Sequence, residues 1–260
     1  MVDGLRAGDH DGPAFSGVVD EHIAYVAALS AAGVAVEVLP PLEAFPDSVF
    51  VEDPALVFTG GAILLRPGAP SRAGEAAELA PVLRRRFDQV LSLDRGFSDG
   101  GDVLVTPGAV LIGLSGRTDA AGAQALCEAL DRLGLKGRVE QTPPGVLHFK
   151  SACALLDEET VLATPAMAAS GVFSGLEVVT TPPGEDAAAN LVRVGDSVLA
   201  PAGYPRTLEL LSARGLEVVA LPATEVAKID AGLSCMSLRW RSAEPKSLPV
   251  GQGGAARDAP

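Results

Sequence analysis

The side chains with the clearest chemical potential are a cysteine, a histidine and a set of carboxylates at similar places in successive stretches of chain. Cys235 stands at the start of the apolar stretch CMSLRW, and His148 lies within VLHFKS at 146–151. A cationic histidine beside a cysteine lowers the pKa of the thiol, and such a pair can supply a nucleophile with its general acid or base. Taken alone, each residue has a simpler interpretation, a small buried cysteine and an ordinary core or surface histidine.

The carboxylates indicate a preference for a cation. Glu52 and Asp53 interrupt the apolar run VFVEDPALVF at 49–58, and Asp99 and Asp102 enclose two glycines before another apolar run. Burying an unpaired carboxylate is costly, so a cation must compensate for it. A distant arginine that folds back is one such cation, and a ligand guanidinium, which is planar and donates in pairs, is the other. No His-x-x-x-His or related spacing supports a metal site, so we expect none.

Two arginines occupy matching positions in the sequence. Arg72 opens the helix predicted after the first hairpin, and Arg117 precedes the helix predicted after the second. An exposed arginine at a helix start is the common case. Their equivalent placement nevertheless predicts a pair of guanidinium forks for a substrate carboxylate.

The elements that must position these residues repeat along the chain. Short β-type runs pair into four hairpins around Gly, Pro or Asp turns near residues 60, 107, 158 and 195. After each hairpin comes helical periodicity, weakest in the third unit, and then a further strand. The predicted helices are 71–86, 118–133, 165–170 and 204–214, and the predicted third strands are 90–93, 137–140, 176–180 and 216–221.

The two chain ends supply most of a fifth unit. The pieces are a helix at 18–32, a strand at 34–39 and a strand at 236–240, with one hairpin strand lacking. We therefore predict an α/β ring of five hairpin–helix–strand units whose fifth unit joins the chain ends. In such a ring, equivalent positions converge on the axis, which brings the cysteine, the histidine and the acids into one central cavity.

Composition and charge exclude several classes of protein. The net charge of −13 disfavours nucleic acid and anionic membranes as partners and favours a small cationic one. No apolar run approaches the roughly 18 residues of a spanning helix, and the first ten residues are too polar for a signal peptide. Three scattered cysteines then indicate free thiols in a reducing cytoplasm.

Residues 241–260 are rich in Gly, Pro and Ala, which predicts a disordered tail after a single catalytic domain at 1–240. The oligomeric state stays open, a homodimer included.

Several stretches together resemble the dimethylarginine dimethylaminohydrolases of the guanidino-group-modifying (pentein) superfamily. They span essentially the whole chain except the tail, and their combination is far more specific than any one of them. The stretches are VDGL at 2–5, LPPLEAFPDSVFVEDPAL at 39–56, RPGAPSRAGE at 66–75, DGGDVL at 99–104, GLSGRT at 113–118, VLHFKS at 146–151, AAN at 188–190, APAGYPRT at 200–207 and KIDAGLSCMSLRW at 228–240.

The resemblance implies a fivefold α/β propeller that hydrolyses an Nω-methylated arginine to citrulline through a covalent cysteine intermediate, without a cofactor. Within it Cys235 is similar to the nucleophile, His148 to the general acid and base, and Asp99 to the acid that orients the histidine. The remaining positions resemble substrate contacts. These are Glu52 and Asp53 near the guanidinium, Asp47 with the carbonyls of Leu5 and Ile229 near the amino-acid end, and Arg72 and Arg117 at the carboxylate.

Two alternatives stay open at this point. An arginine or agmatine deiminase of the same superfamily would share the chemistry and differ in the space around the leaving amine. A non-catalytic propeller that binds a protein or ribosomal partner should lack the cysteine, histidine and acid set. The VDGL stretch begins at the second residue here, whereas members of the family usually carry a strand before it. Two explanations stay open, a misplaced start codon and a chain that folds with a gapped fifth unit.

Overall fold

Four similar units follow one another in the computed structural model, which describes residues 4–5 and 12–242. In each unit an antiparallel hairpin is followed by a helix and by a third strand that pairs in parallel with the second. The strands, three to a unit, are β1 Ala55–Phe58, β2 Gly61–Leu64, β3 Val90–Ser92, β4 Val103–Val105, β5 Val110–Leu114, β6 Gly137–Gln141, β7 Cys153–Leu155, β8 Thr160–Ala163, β9 Glu177–Thr180, β10 Val192–Val194, β11 Ser197–Pro201 and β12 Glu217–Leu221. The helices are α1 Phe15–Ala31, α2 Glu75–Arg86, α3 Ala120–Arg132, α4 Pro165–Ala169, α5 Pro205–Ala213 and α6 Thr224–Ala227.

Local sequence explains where the helices begin and end. Before α3, the carboxylate of Asp119 accepts a hydrogen bond from the Gly122 N–H at 2.7 Å, so Asp119 caps the start of the helix. Gly134 follows α3 with φ 72° and Gly215 follows α5 with φ 84°, a left-handed conformation that glycine adopts without a Cβ penalty. Both glycines therefore end their helices.

The units form a ring because each hydrophobic cluster is shared by two neighbours. On β1, Leu56 and Phe58 pack towards the second unit, while Ala55 and Val57 pack against α2 and Leu238 near the end of the chain. Two further clusters join the second unit to the third and the third to the fourth. A fifth cluster joins β10–β12 to α1 and to residues 229–236. The five interfaces close the circle, and the predicted α/β propeller is confirmed.

The fifth unit differs from its prediction. Residues 34–39 and 237–240 belong to no strand, so the two strands predicted at 34–39 and 236–240 are wrong. Their apolar side chains still pack, but a strand also needs a neighbouring backbone to bond with, and neither segment pairs with another among the described residues. The described part of the fifth unit instead contains α1, α6 and a short 3-10 helix, Leu233–Met236.

The first strands of the four units and residues 237–239 surround the axis. Together they line a cavity of about 250 Å³, whose one end is formed by Glu52, Lys150 and Ser234. Across the described residues, no helix combines the length and the apolar content that a membrane crossing needs. Of the predicted tail, all but Arg241 and Ser242 lies outside the described residues.

Candidate active site

Each unit contributes a polar side chain, which in the first four units comes from the segment that leads into the first strand. Asp53 precedes β1, Asp102 precedes β4 and Asn190 precedes β10. His148 caps the 3-10 helix Phe149–Ser151 that leads into β7, and Cys235 lies in the 3-10 helix at 233–236. The predicted convergence of equivalent positions is thus what the fold produces, although these side chains lie in turns and not inside the strands.

Glu52 lies at the boundary between this cluster and the axial cavity. The carboxylate of Glu52 forms an ion pair with Lys150, lies 3.4 Å from Arg239, and accepts a hydrogen bond from the Ser234 hydroxyl at 3.1 Å. Glu52 is also tied to the nucleophile's segment, since its backbone N–H donates to the carbonyl of Cys235 at 3.2 Å. Cations from distant parts of the chain therefore compensate this buried carboxylate, which was the first of the two options left open by the sequence.

Arg72 holds Asp53 in place. Its guanidinium pairs with the carboxylates of Asp53 and Glu75 and donates to the carbonyls of Asp47 and Phe50 at 3.2 and 2.9 Å. Burial alone would lower the pKa of Arg72, but the two carboxylates outweigh it and raise that pKa. These partners use most of the N–H groups of a side chain that is 5% exposed. These contacts position Asp53, and the binding of a substrate carboxylate by Arg72 stays a prediction.

His148 lies against Asp102 and not against Asp99. The Nδ1 atom of His148 is 3.4 Å from Oδ1 of Asp102, whose carboxylate is fully buried. Burial would lower the pKa of His148, but Asp102, Asp53 and Asp99 together raise it to about 9. The structure thus corrects the expected orienting residue, because the side chain of Asp102 is the one in contact with the imidazole.

Asp102 is itself held by three hydrogen bonds. The hydroxyls of Ser115 and Thr118 donate to its Oδ2 atom at 2.6 and 2.7 Å, and the Phe149 N–H donates to Oδ1 at 3.0 Å. Fixed from three sides, the carboxylate places a negative charge 3.4 Å from Nδ1 of His148, an atom that has no hydrogen-bond partner among the described residues.

Asp99 lies deeper in the same group of acids. Burial, followed by the Asp53 carboxylate, raises the pKa of Asp99. Among the described residues its Oδ1 atom has no hydrogen-bond partner. Asp99 therefore contributes to the electrostatics around His148 without touching it.

Cys235 is partly buried and faces the carboxylates. Burial, then Glu52 and Asp53, raise the pKa of the Cys235 thiol, so the resting residue is a neutral thiol. The side-chain amide of Asn190 donates to its sulfur at 3.7 Å. Cys153 is different, because its side chain is buried in the core and burial raises its pKa far above that of a free thiol. Cys153 is therefore a structural residue of the core.

The residues expected at the amino-acid end are placed less uniformly. Asp47 is buried, and its Oδ1 atom accepts from the Leu5 N–H at 3.0 Å. Ile229 is buried in the cluster that joins the fourth and fifth units. Arg117 is half-buried, and its side chain enters none of the ion pairs found between residues 12 and 242. Of the two arginines, Arg117 is thus the one with a guanidinium left for a ligand.

Sequence reasoning did not assign roles to four residues that the site uses. Asp102 and Asn190 carried a signal, one as the last residue of the DGGD motif and the other at the fourth unit's equivalent of His148. Lys150 and Arg239 carried none, because their partner Glu52 is distant in the chain. A buried thiol, an imidazolium and several carboxylates in one cluster can bind a cation and attack it with sulfur.

Comparison with known proteins relates this chain to enzymes that act on guanidino groups. A family model described as arginine deiminase matches residues 36–191. The N(G),N(G)-dimethylarginine dimethylaminohydrolase of Pseudomonas aeruginosa is 38% identical over 92% of this chain and 95% of that protein. The enzyme of the same name from Streptomyces coelicolor is 38% identical over 84% of each chain.

Solved structures agree with the sequence matches. The P. aeruginosa enzyme in complex with citrulline superimposes with a TM-score of 0.88, covering 92% of this chain and 94% of that one. The N-terminal domain of ArgZ, a cyanobacterial arginine dihydrolase, has a TM-score of 0.81 at 18% identity, over 92% of both chains, and shows a likeness of fold.

Proposed function

The chain belongs to the arginine deiminase family and, within it, to the dimethylarginine dimethylaminohydrolases, and from this we propose that it hydrolyses an Nω-methylated arginine to citrulline and methylamine or dimethylamine. One observation carries the proposal. A Cβ atom at Gly101 would lie 3.0 Å from Oδ1 of Asp53 and 3.1 Å from Nδ1 of His148, and the N–H of the adjacent Glu52 donates to the Cys235 carbonyl at 3.2 Å. Nucleophile, acid and cation-binding group therefore share one cluster, in which Asp53 raises the pKa of both Cys235 and His148. A propeller that only binds a partner has no need of that combination.

The acids favour a cationic substrate, because the pairing of Asp53 with Arg72 and of Glu52 with Lys150 and Arg239 leaves enough negative charge to act on the sulfur. Asp53 and Glu52 raise the pKa of the Cys235 thiol, which lowers the fraction of reactive thiolate until the substrate binds. A guanidinium that binds beside these carboxylates offsets their charge, so the thiol loses its proton to solvent as the substrate arrives. Arg117 and Asp47 bind the amino-acid end in this proposal, since Arg72 is occupied by Asp53.

The protonation states at neutral pH suit the order of the steps. The thiolate of Cys235 attacks the guanidinium carbon, and one carbon–nitrogen π pair moves to nitrogen. His148, an imidazolium below a pKa of about 9, gives its proton to the methylated nitrogen, and the carbon–nitrogen bond breaks with loss of the amine. The neutral imidazole then takes a proton from water, and hydroxide adds to the same carbon. Breaking the carbon–sulfur bond returns the thiolate, and loss of one proton to solvent leaves citrulline.

The test is a turnover assay on asymmetric dimethylarginine, arginine and agmatine, with colorimetric detection of the ureido product and separate detection of the released amine. We expect product from the methylated substrate and none from Cys235→Ser. Cys127→Ser, the same change in α3 outside the site, should keep the wild-type rate. Product formation by Cys235→Ser would refute the nucleophile.

The same assay separates the deiminase alternative. Arginine or agmatine turned over faster than dimethylarginine would replace the proposed substrate by an unmethylated one, with the site chemistry unchanged. Agmatine lacks the carboxylate, so its preference over arginine would also contradict the role of Arg117. We place the enzyme in the cytoplasm, which its three free cysteines support.

A further inference from the structure

Asn190 contacts the sulfur of Cys235 from the unit opposite the acids. Its side-chain nitrogen lies 3.7 Å from Sγ, a normal distance for a hydrogen bond to sulfur, and its Oδ1 atom accepts from the Ser234 N–H at 3.1 Å. A backbone N–H can only donate, so the amide oxygen must face Ser234 and the amide N–H groups must face the sulfur. The orientation of the amide is therefore fixed by its surroundings.

The chain around the nucleophile is shaped to fit this amide. Gly232 is extended, and a Cβ atom there would lie 2.3 Å from Cγ and 2.5 Å from Nδ2 of Asn190. No side chain fits into that space, so residues 232–235 fold closely around Asn190. The side chain is 6% exposed and anchored at both ends of its amide.

We propose that Asn190 is a positioning residue for the nucleophile, which holds the Cys235 sulfur by a hydrogen bond and stabilises its thiolate over its thiol. The proposal deepens the proposed function and rests on Cys235 as the nucleophile. A donor that faces sulfur strengthens when the sulfur becomes negative, because charge-assisted hydrogen bonds are the stronger ones. Burial, Glu52 and Asp53 raise the pKa of the Cys235 thiol, and the hydrogen bond from Asn190 opposes that rise. Arg239, in the segment that follows Cys235, is a cation that interacts with the sulfur.

The sharpest test is Asn190→Asp. The carboxylate has the shape of the amide and keeps an oxygen for the Ser234 N–H, but it removes the donor that faces sulfur. The readout is the rate of alkylation of Cys235 by neutral iodoacetamide as a function of pH, followed by mass spectrometry of its peptide. We expect the midpoint to rise by about one pH unit or more, which is about a tenfold lower rate below the midpoint.

Two controls keep the result specific. Gln89→Glu makes the same amide-to-carboxylate change at an exposed position of the first unit, and its alkylation profile should match the wild type. Asn190→Ala removes the donor without adding charge, so it should also raise the midpoint, and it replaces the aspartate variant if that protein does not fold. With dimethylarginine, both Asn190 variants should lower kcat more than they raise KM, since Asn190 acts on the sulfur.

The outcomes separate this proposal from the function on which it rests. A folded Asn190 variant whose alkylation midpoint is unchanged or lower would overturn the positioning role, even if the wild type hydrolyses dimethylarginine. A raised midpoint in an enzyme that does not act on dimethylarginine would support the role of Asn190 and refute the proposed substrate. Alkylation needs no turnover, which is why the two can be told apart.

Discussion

Replacing Asp102 by asparagine should lower the pKa of His148. The two side chains lie 3.4 Å apart, and their exposed fractions are 17% and 0%. At an effective dielectric constant of about 20, two unit charges at that distance attract by about 5 kcal/mol. Raising the pKa of His148 from 6.5 to about 9 corresponds to about 3.4 kcal/mol. The Asp102 charge is therefore large enough to account for most of the net rise, and since Asp53 and Asp99 remain and also raise the pKa, its loss should lower the pKa by about 2 units.

The substitution is mild for the rest of the network. Asparagine keeps an oxygen that can accept from the Phe149 N–H. The hydroxyls of Ser115 and Thr118, which donate to Asp102 in the native protein, can turn to accept from the new amide N–H groups. We therefore expect a folded variant in which the charge beside the imidazole is the main change.

The assay is an NMR titration of the imidazole C–H signals. The chain has three histidines, so the spectrum is simple, and His148→Gln identifies the signal of interest. Burial lowers the pKa of His22, which separates it from a histidine that titrates near 9. Asp99→Asn is the matched control, since Asp99 acts on His148 only through space. A larger drop in Asp99→Asn than in Asp102→Asn would refute the orienting role of Asp102.

Unfolding measurements give an independent check. A folded-state pKa above the unfolded value means that the imidazolium stabilises the fold below about pH 6.5, and that this stabilisation is lost as the pH rises through about 9. The gap in unfolding free energy between wild type and Asp102→Asn should therefore shrink by about 3 kcal/mol between pH 6 and pH 9.5. A gap that is constant with pH would show that Asp102 acts only through its other hydrogen bonds.

Three further substitutions follow from the site. Arg72→Ala leaves the buried Asp53 carboxylate without its cation and should lower the unfolding free energy by about 3–5 kcal/mol in urea titrations, whereas an effect on KM alone would restore Arg72 as a substrate ligand. Arg117→Ala removes a half-buried guanidinium that pairs with no described carboxylate, so KM for dimethylarginine should rise at least about tenfold with an unchanged melting temperature. Gly232→Ala forces a Cβ into Asn190 and should slow alkylation of the active-site thiol, and wild-type alkylation would show that the loop moves aside freely.

The repeating units could be predicted because their signals are local. Turn residues, helical periodicity and a capping Asp119 act within a few residues of the elements they shape, and the structure places hairpins, helices and third strands close to the predicted positions. The strands at 34–39 and 236–240 could not be judged in the same way. Their composition is β-type, but strand formation depends on a neighbouring backbone that the local sequence does not specify.

The sequence predicts which residues belong to the site better than it predicts their contacts. Cys235, His148 and Asp53 come together because equivalent positions of a ring meet at the axis, a property of the repeat. Which carboxylate reaches the imidazole depends on side-chain directions in the turn at 99–102, where a shift of three residues exchanges Asp99 for Asp102. The pairing of Glu52 with Lys150 and Arg239 depends on closure of the whole ring, and no local pattern reports it.

The shared hydrophobic clusters bear on how the molecule acquires its activity. Every hydrophobic cluster is built by two adjacent units, so no unit has a hydrophobic core of its own. A fragment of two or three units would therefore expose half a cluster at each end. Such a chain should gain its structure in one cooperative transition, unlike open repeat arrays that add modules one by one. The sulfur, the imidazole and the acids come from different units, so partially folded intermediates hold an incomplete set and are inert until the circle is complete.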